Sequence, residues 1–425
     1  MPTARSPASD AVPSRRLTVV MPIVLAALAM LGPFSIDTAF PAFESMRVDF
    51  GVGIDAMQLV VSAYLLAFAA MSVFHGPLSD ALGRKPVMVA GIAAYAAASV
   101  GCALSRTLPL LLVFRVLQGL SAGGGVIVSR TVIRDLFEGE AAQRLMSRVA
   151  MIFGLAPAVA PVIGGLLLQV GPWPWVFWFL TVVGLLLVVL VAVVLPETHP
   201  PESRTAFAFR ALVGGLGEIA RDRRFHRVAW AGALSFGGQF LYIGGAAIFV
   251  VDLLHRGELD FWMFFVPMIS GVVLGSWVSA RAAGRISGRR LVTLGLLFAV
   301  AAGVGNVAIA STPVGDQVPY AVMGPMLLAF GVATAYPTLQ LAMLDLYPRR
   351  RGAAASLGMF VQLVLNAVTT AALVPLVTGS VRTLATAALV LVVLGLGSWT
   401  WHLRAERAEV SPPAHPATLE PTDQV

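Results

Sequence analysis

The chain has 425 residues, 58% of them hydrophobic and 12% charged, with a formal net charge of +7 and one cysteine. Soluble domains carry about 25% charged residues, so an ordinary soluble domain is excluded. Apolar runs of about 20 residues exclude a barrel of ~10-residue alternating strands. Cys102 alone forms no intrachain disulfide and no thiol metal site, and the cations recur in short loops rather than on one soluble face, which argues against a nucleic-acid partner.

In chain order, residues 1–16 are polar and read as a disordered start. Twelve apolar runs follow, at about 17–43, 56–75, 87–106, 109–133, 145–168, 174–195, 227–253, 261–281, 290–311, 319–346, 353–378 and 382–403. They predict an all-α membrane protein with twelve transmembrane helices. The first run is too long for a signal-peptide core. The stretch 197–225, which opens with Pro196, Pro200 and Pro201, divides the chain into halves at 17–196 and 226–403, and 404–425 reads as a disordered tail.

One side carries Arg15, Arg16, Arg84, Lys85, Arg134, Arg144, Arg221, Arg223, Arg224, Arg281, Arg285, Arg289, Arg290, Arg349 to Arg351, Arg404 and Arg407, while the other has only Arg47, Arg106, Arg256 and Arg382. The rich side is expected to be cytoplasmic, with both termini inside a bacterial inner membrane. The halves echo each other: Gly76 to Pro86 and Gly275 to Arg290 place a Gly-Arg pair and further cations at matching points. Duplicated six-helix halves with a substrate site between them are a transporter architecture.

Within the first run Asp37 lies between Pro33 and Pro41. An acid in an apolar run costs about 2.5–3.5 kcal/mol on insertion scales, which makes it a functional-site candidate; the alternative is a helix-end residue held by a cap or by water. In the loop after run two, Gly76 and Gly83 suit tight turns, Asp80 suits an arginine or a helix N-terminus, and Arg84 and Lys85 anchor the inner face. In run four, Arg115 needs an anion or carbonyls unless it snorkels outward, and Gln118 and Gly119 follow it. In run five, Gly154, Pro157, Pro161, Gly164 and Gly165 predict a bent helix with a smooth face.

These stretches resemble the major facilitator superfamily, in its twelve-helix drug:H+ antiporter branch. Gly76 to Pro86 matches its loop 2–3 signature, Arg115-Gln118-Gly119 its helix-four signature, and Gly154 to Gly165 its antiporter helix-five signature. Ile36-Asp37-Thr38, Arg130 to Phe137 and Trp175 with Phe177 resemble the Bcr/CflA group of drug exporters. The resemblance implies two pseudo-symmetric six-helix halves, a monomer, and proton-driven export with no cofactor. It is specific over most of 17–196 and covers the second half only as a helix pattern. Two departures stand out: the position of a second acid in helix one is Ala29, and the matching helix of the second half has no acid before Asp252.

Asp37 and Arg115 each lie about seven residues from the outer end of their run, at ~1.5 Å per residue roughly 10 Å inside it. If their helices are neighbours, as the resemblance implies, the two are expected to interact directly, through water or through Gln118. Phe34, Asp37, Tyr64, Gln118, Phe236, Gln239, Tyr242, Tyr336, Gln362 and Asn366 are the candidate substrate contacts, and a pocket with one acid suits neutral or monocationic molecules. Within the same fold a proton symporter or an endogenous-metabolite exporter competes with drug export, and a channel is separable only by flux measurements. A membrane-embedded enzyme is disfavoured: His75, His199, His226, His255, His402 and His415 form no constellation, and no GxxxxGK phosphate loop is present.

Overall fold

The computed structural model describes residues 21–136, 156–204, 207–257, 259–348 and 350–410. Helices dominate, and no strand occurs among the described residues. The first half holds α1 (Met21–Asp37), α2 (Phe43–Phe50), α3 (Ile54–Leu82), α4 (Arg84–Ala103), α5 (Leu108–Leu136), α6 (Ala156–Val170) and α7 (Pro174–Val194). After α8 (Phe209–Arg221), the second half holds α9 (Arg223–Gly244), α10 (Trp262–Ala282), α11 (Gly288–Ala310), α12 (Tyr320–Asp345), α13 (Arg351–Val368), α14 (Val374–Val377) and α15 (Val381–Val410).

Nine of these helices are long and apolar enough to cross a membrane among the described residues, and the α1–α2 pair makes a tenth if taken as one bent span. Two of the twelve expected crossings fall outside that count. α6 is short and begins where the described residues resume, and α9 opens with Arg223, Arg224 and Arg227, which dilute its apolar content.

Several ends differ from the sequence expectation. The first run is not one rod: its axis turns by 47° between Ile23–Gly32 and Phe34–Phe50. Pro33, at the break, has no N–H to continue the ladder. α1 then ends at Asp37, and Phe40–Ala42 forms a 3-10 turn. α3 runs through Gly76, so that glycine makes no turn; the turn falls on Gly83, whose φ is 101°. The expected linker contains α8, and α15 continues seven residues past the expected boundary, where Arg289 pairs with Glu406 at 2.5 Å. Residues 1–20 and 411–425 lie outside the described residues.

Within the first half α5 packs against α1, α3 and α4; within the second, α12 packs against α9, α10 and α11. The halves meet along α3 and α13. At the end remote from the arginine-rich loops they also meet through Phe40 and Phe265, whose rings stack at 6.5 Å. The glycine-led breaks echo one another as well, with positive φ at Gly83 before α4 and at Gly284 before α11.

Candidate functional site

The last turn of α1 leaves carbonyls without helical partners, as every helix C-terminus does. The N–H of Thr38 returns to Phe34 and that of Ala39 to Ile36, so the carbonyl of Ser35 receives neither. Arg115 of α5 fills that place: its Nη1 donates to the Ser35 carbonyl at 2.9 Å and to Gln118 Oε1 at 2.8 Å. Its Nε donates to the Val60 carbonyl at 2.9 Å, and its guanidinium lies 4.6 Å over the Tyr64 ring. A cation at a helix C-terminus is also favoured by the macrodipole.

A second layer holds these groups. Gln118 Nε2 donates to Ser99 Oγ at 2.7 Å, and Cys102 Sγ lies 3.6 Å from Gln118 Oε1. Ser35 Oγ gives its proton to the Leu31 carbonyl at 2.5 Å, so Tyr95 is the donor in the 2.6 Å contact with that hydroxyl. Arg115 is fully buried and does not snorkel. Its compensation is carbonyls, an amide and a ring, with no carboxylate among the partners.

Asp37 is buried, 3% exposed, two residues beyond Ser35. Of the expected routes between Asp37 and Arg115, the direct ion pair is not made; the guanidinium donates to the carbonyl of Ser35 instead. The connection runs along α1 from Ser35 to Asp37, about half a helical turn. Thr38 Oγ1, next to Asp37, and Arg115 Nη2 are both buried without a partner among the described residues.

Gly164 of α6 explains part of the paired-proline stretch. A Cβ there would sit 2.3 Å from the Thr38 carbonyl and 3.3 Å from Pro41 Cγ. Only a glycine lets α6 close on the chain beside Asp37. Pro161 and Gly165 are buried on the same helix and Pro157 is half-buried, while Gly154 lies outside the described residues.

At the basic end the loop signature forms a charge cluster. Asp80 pairs with Arg84, whose Nε also donates to Asp135 Oδ2 at 3.1 Å and whose Nη1 donates to Ser79 Oγ at 2.6 Å. Gly83 offers α4 no side-chain cap. Glu197 supplies one from beyond α7, accepting from the backbone N–H of Arg84 at 3.0 Å and of Lys85 at 3.3 Å. Lys85 Nζ donates to the Ala192 carbonyl at 2.7 Å. Sequence reasoning missed the role of Glu197; its only signal is an acid placed directly after Pro196 at the end of a run.

The second half gathers four of the expected substrate contacts. Gln340 Nε2 donates to Tyr336 Oη at 2.6 Å, Tyr336 Oη to Gln362 Oε1 at 3.3 Å, and Gln362 Nε2 to Asn366 Oδ1 at 3.3 Å. Phe236 packs its ring 5.6 Å from that of Tyr336. Beside them a cavity of about 10 Å³, near the space of one water, is lined by Val228, Gly232, Leu339, Gln340, Gly358 and Gln362 among others. Gln340 belongs to this group and was not foreseen. Gln239 is buried on α9 and Phe34 is half-buried on α1.

Three further expected contacts are buried. Tyr64 is fully buried under the Arg115 guanidinium, and Gln118 is fully buried between Arg115 and Ser99. Tyr242 receives a hydrogen bond from Asn306 Nδ2 at 2.7 Å and packs among Phe249 and Phe264. Gln118 and Tyr242 satisfy their polar groups inside their own half, whereas the Tyr64 hydroxyl is buried without a hydrogen-bond partner among the described residues.

Comparison with known proteins agrees with this architecture. The chain is 32% identical over 292 residues to YdgK, an MFS-type transporter of Bacillus subtilis, covering 68% of this chain and 73% of that one. It is 26% identical over 290 residues to a bicyclomycin resistance protein homolog of Haemophilus influenzae, with the same coverage, and 29% identical over 280 residues to the multidrug resistance protein MdtL of Escherichia coli, covering 65% and 70%. Among solved structures, an inward-facing bacterial homolog of the human lysosomal transporter Spinster superposes with a TM-score of 0.71 at 16% identity, covering 93% of this chain and 98% of that one. The xylose transporter XylE of E. coli gives 0.68 at 13%, covering 90% and 96%. The family model for the Major Facilitator Superfamily matches residues 23–370. With that match spanning most of its length and the paired helical halves described above, the chain belongs to the Major Facilitator Superfamily, a family of membrane transporters rather than enzymes.

Proposed function

We propose that this transporter exports drugs or other small amphipathic molecules across a bacterial cytoplasmic membrane in exchange for protons, with Asp37 as the proton site. The observation that carries the reading is the burial of Asp37 without a cation, two residues along α1 from the carbonyl that the buried Arg115 takes. An ionised carboxylate in that place costs several kcal/mol unless water or a partner reaches it. Its charge is therefore tied to whether its surroundings are wet. The names of the multidrug and bicyclomycin resistance relatives point to the same substrate class.

We read the arginine-rich loops as cytoplasmic, which with twelve crossings puts both termini inside. Phe40 and Phe265 then belong to the outer gate. When that gate opens, Asp37 takes a proton from outside, and the neutral acid tolerates renewed closure. On the inner side Asp37 releases the proton as substrate binds, and the halves rock back. The unpartnered Thr38 Oγ1 and Arg115 Nη2 are places for water to carry a proton to and from Asp37. Substrate is held against Phe236, Tyr336, Gln340, Gln362 and Asn366, all uncharged, which suits a neutral or monocationic molecule.

The test is a growth panel of antibiotics in an efflux-deficient host, with Asp37→Asn alongside the parent protein. Loss of resistance in a variant that reaches the membrane at parental level is the expected result. Full resistance with Asp37→Asn overturns the assignment.

A further inference from the structure

The helix between the halves carries an apolar stripe that packing leaves half bare. Along α8, Phe209, Leu212, Val213 and Leu216 recur at i, i+3, i+4 and i+7 and so form one stripe. One edge of the stripe is covered: Leu212 and Leu216 are half-buried, and Ile219 packs with Phe225 and Val228. The other edge is bare. Phe209 is 55% and Val213 46% exposed, and Phe207, just before the helix, is 41% exposed. Arg210 and Arg221 stand eleven residues apart, within about 20° of each other around the axis. They border the bare edge, both are exposed, and neither has a carboxylate partner among the described residues.

The depth of this edge is fixed by a ring contact. Phe209 stacks on Phe74 of α3, centroids 6.0 Å apart and planes 5° apart. Phe74 lies eight residues before the end of α3, about 12 Å back from its basic tip. That is where the second apolar run of the sequence ends and its polar signature begins. α8 is also tied to the second half, by an ion pair between Glu218 and Arg350, and by the Tyr347 hydroxyl, which donates to Asp222 Oδ2 at 2.5 Å. The helix thus lies beneath the α3–α13 seam, at the level where an apolar slab gives way to headgroups.

We propose that α8 is an interfacial helix: Phe207, Phe209 and Val213 enter the acyl layer of the leaflet at the basic end, and Arg210 and Arg221 sit on the headgroups of anionic phospholipids. Aromatic and aliphatic side chains flanked by arginines are the composition of such helices. A second copy of the chain is a poor occupant, because three side chains fall well short of the ~800 Å² per partner of a standard interface. The proposal does not depend on which substrate is carried or on the role of Asp37.

The test uses the full-length protein with a nitroxide on Val213→Cys or, as control, on Gly214→Cys, where an added side chain meets nothing within 4 Å. Cys102 is buried and does not compete for the label. In vesicles of phosphatidylcholine and phosphatidylglycerol, the label at 213 is expected to collide more with oxygen than with a water-soluble nickel chelate, and the label at 214 the reverse. The preference of the protein for spin-labelled phosphatidylglycerol over phosphatidylcholine is expected to fall by up to about fivefold for each arginine removed in Arg210→Gln and Arg221→Gln. Nickel-type access at 213, or protection from both reagents that grows with protein density, overturns the acyl contact. An unchanged lipid preference in the double variant overturns the headgroup contact.

Discussion

Arg115 Nη1 donates to the carbonyl of Ser35 at 2.9 Å, so a cation of α5 caps the helix that ends in Asp37. The fork makes three hydrogen bonds at once, to Ser35, Val60 and Gln118. Lysine carries its charge on a single nitrogen and cannot span the three acceptors. Arg115→Lys therefore strands at least one buried acceptor, at about 1–3 kcal/mol. A lower melting temperature in detergent and loss of export are expected together, measured by thermal unfolding and drug accumulation. Parental values of both remove Arg115 from the site.

Gly164 places α6 against Thr38 with no room for a methyl group. Gly164→Ala is expected to push the two apart at a cost of about 1–3 kcal/mol. It should also disturb export, since Thr38 adjoins Asp37. Gly305, on an exposed face of α11 with nothing within 4 Å of an added Cβ, is the control; Gly305→Ala should leave both unchanged. Equal effects of the two substitutions count against a specific α6 contact.

Glu197 caps α4 from 113 positions away. Glu197→Gln keeps one acceptor oxygen but loses the charge and one of the paired bonds, which should cost about 1 kcal/mol. The loss should appear as faster proteolysis in the loops around Gly83. Unaltered cleavage there assigns the order of the basic end to the Arg84–Asp80–Asp135 cluster alone.

Two acids flank the turn after α1, and they predict different pH behaviour. Glu44 is half-buried, and the hydrogen bond and charge of Arg47 hold its carboxyl below the ordinary value. A carboxyl with a lowered folded value contributes stability above its unfolded value and loses it as pH falls through the folded one. That window lies at and below the ordinary carboxylate range of about 4. Glu44 accordingly stays ionised between pH 5 and 8. Glu44→Gln should leave the pH profile of export over that interval in place, whereas Asp37→Asn should flatten it. Transport assayed in proteoliposomes with external pH varied decides between them.

The rough place of most apolar segments was legible because run length is a local property: a 20-residue stretch free of charge has few other fates. Helix ends were less legible. α8 escaped notice because Gly214, Gly215 and Gly217 dilute its apolar stripe, and its order comes from Phe74, Arg350 and Tyr347, all distant in sequence. Gly76 looked like a turn because glycine permits one, yet only Gly83 adopts positive φ.

By itself the sequence determined that this is a helical membrane protein in two halves, and that Asp37 and Arg115 are charges with no apolar reason to be where they are. Tertiary structure decided their partners. Arg115 could meet a carboxylate or a carbonyl, and the choice fell to Ser35 because a helix terminus left one carbonyl free at the right height. It likewise buried Tyr64 under the Arg115 guanidinium, Gln118 between Arg115 and Ser99, and Tyr242 beside Asn306. Composition fixes what a side chain can bond; only the packed backbone fixes which group arrives first.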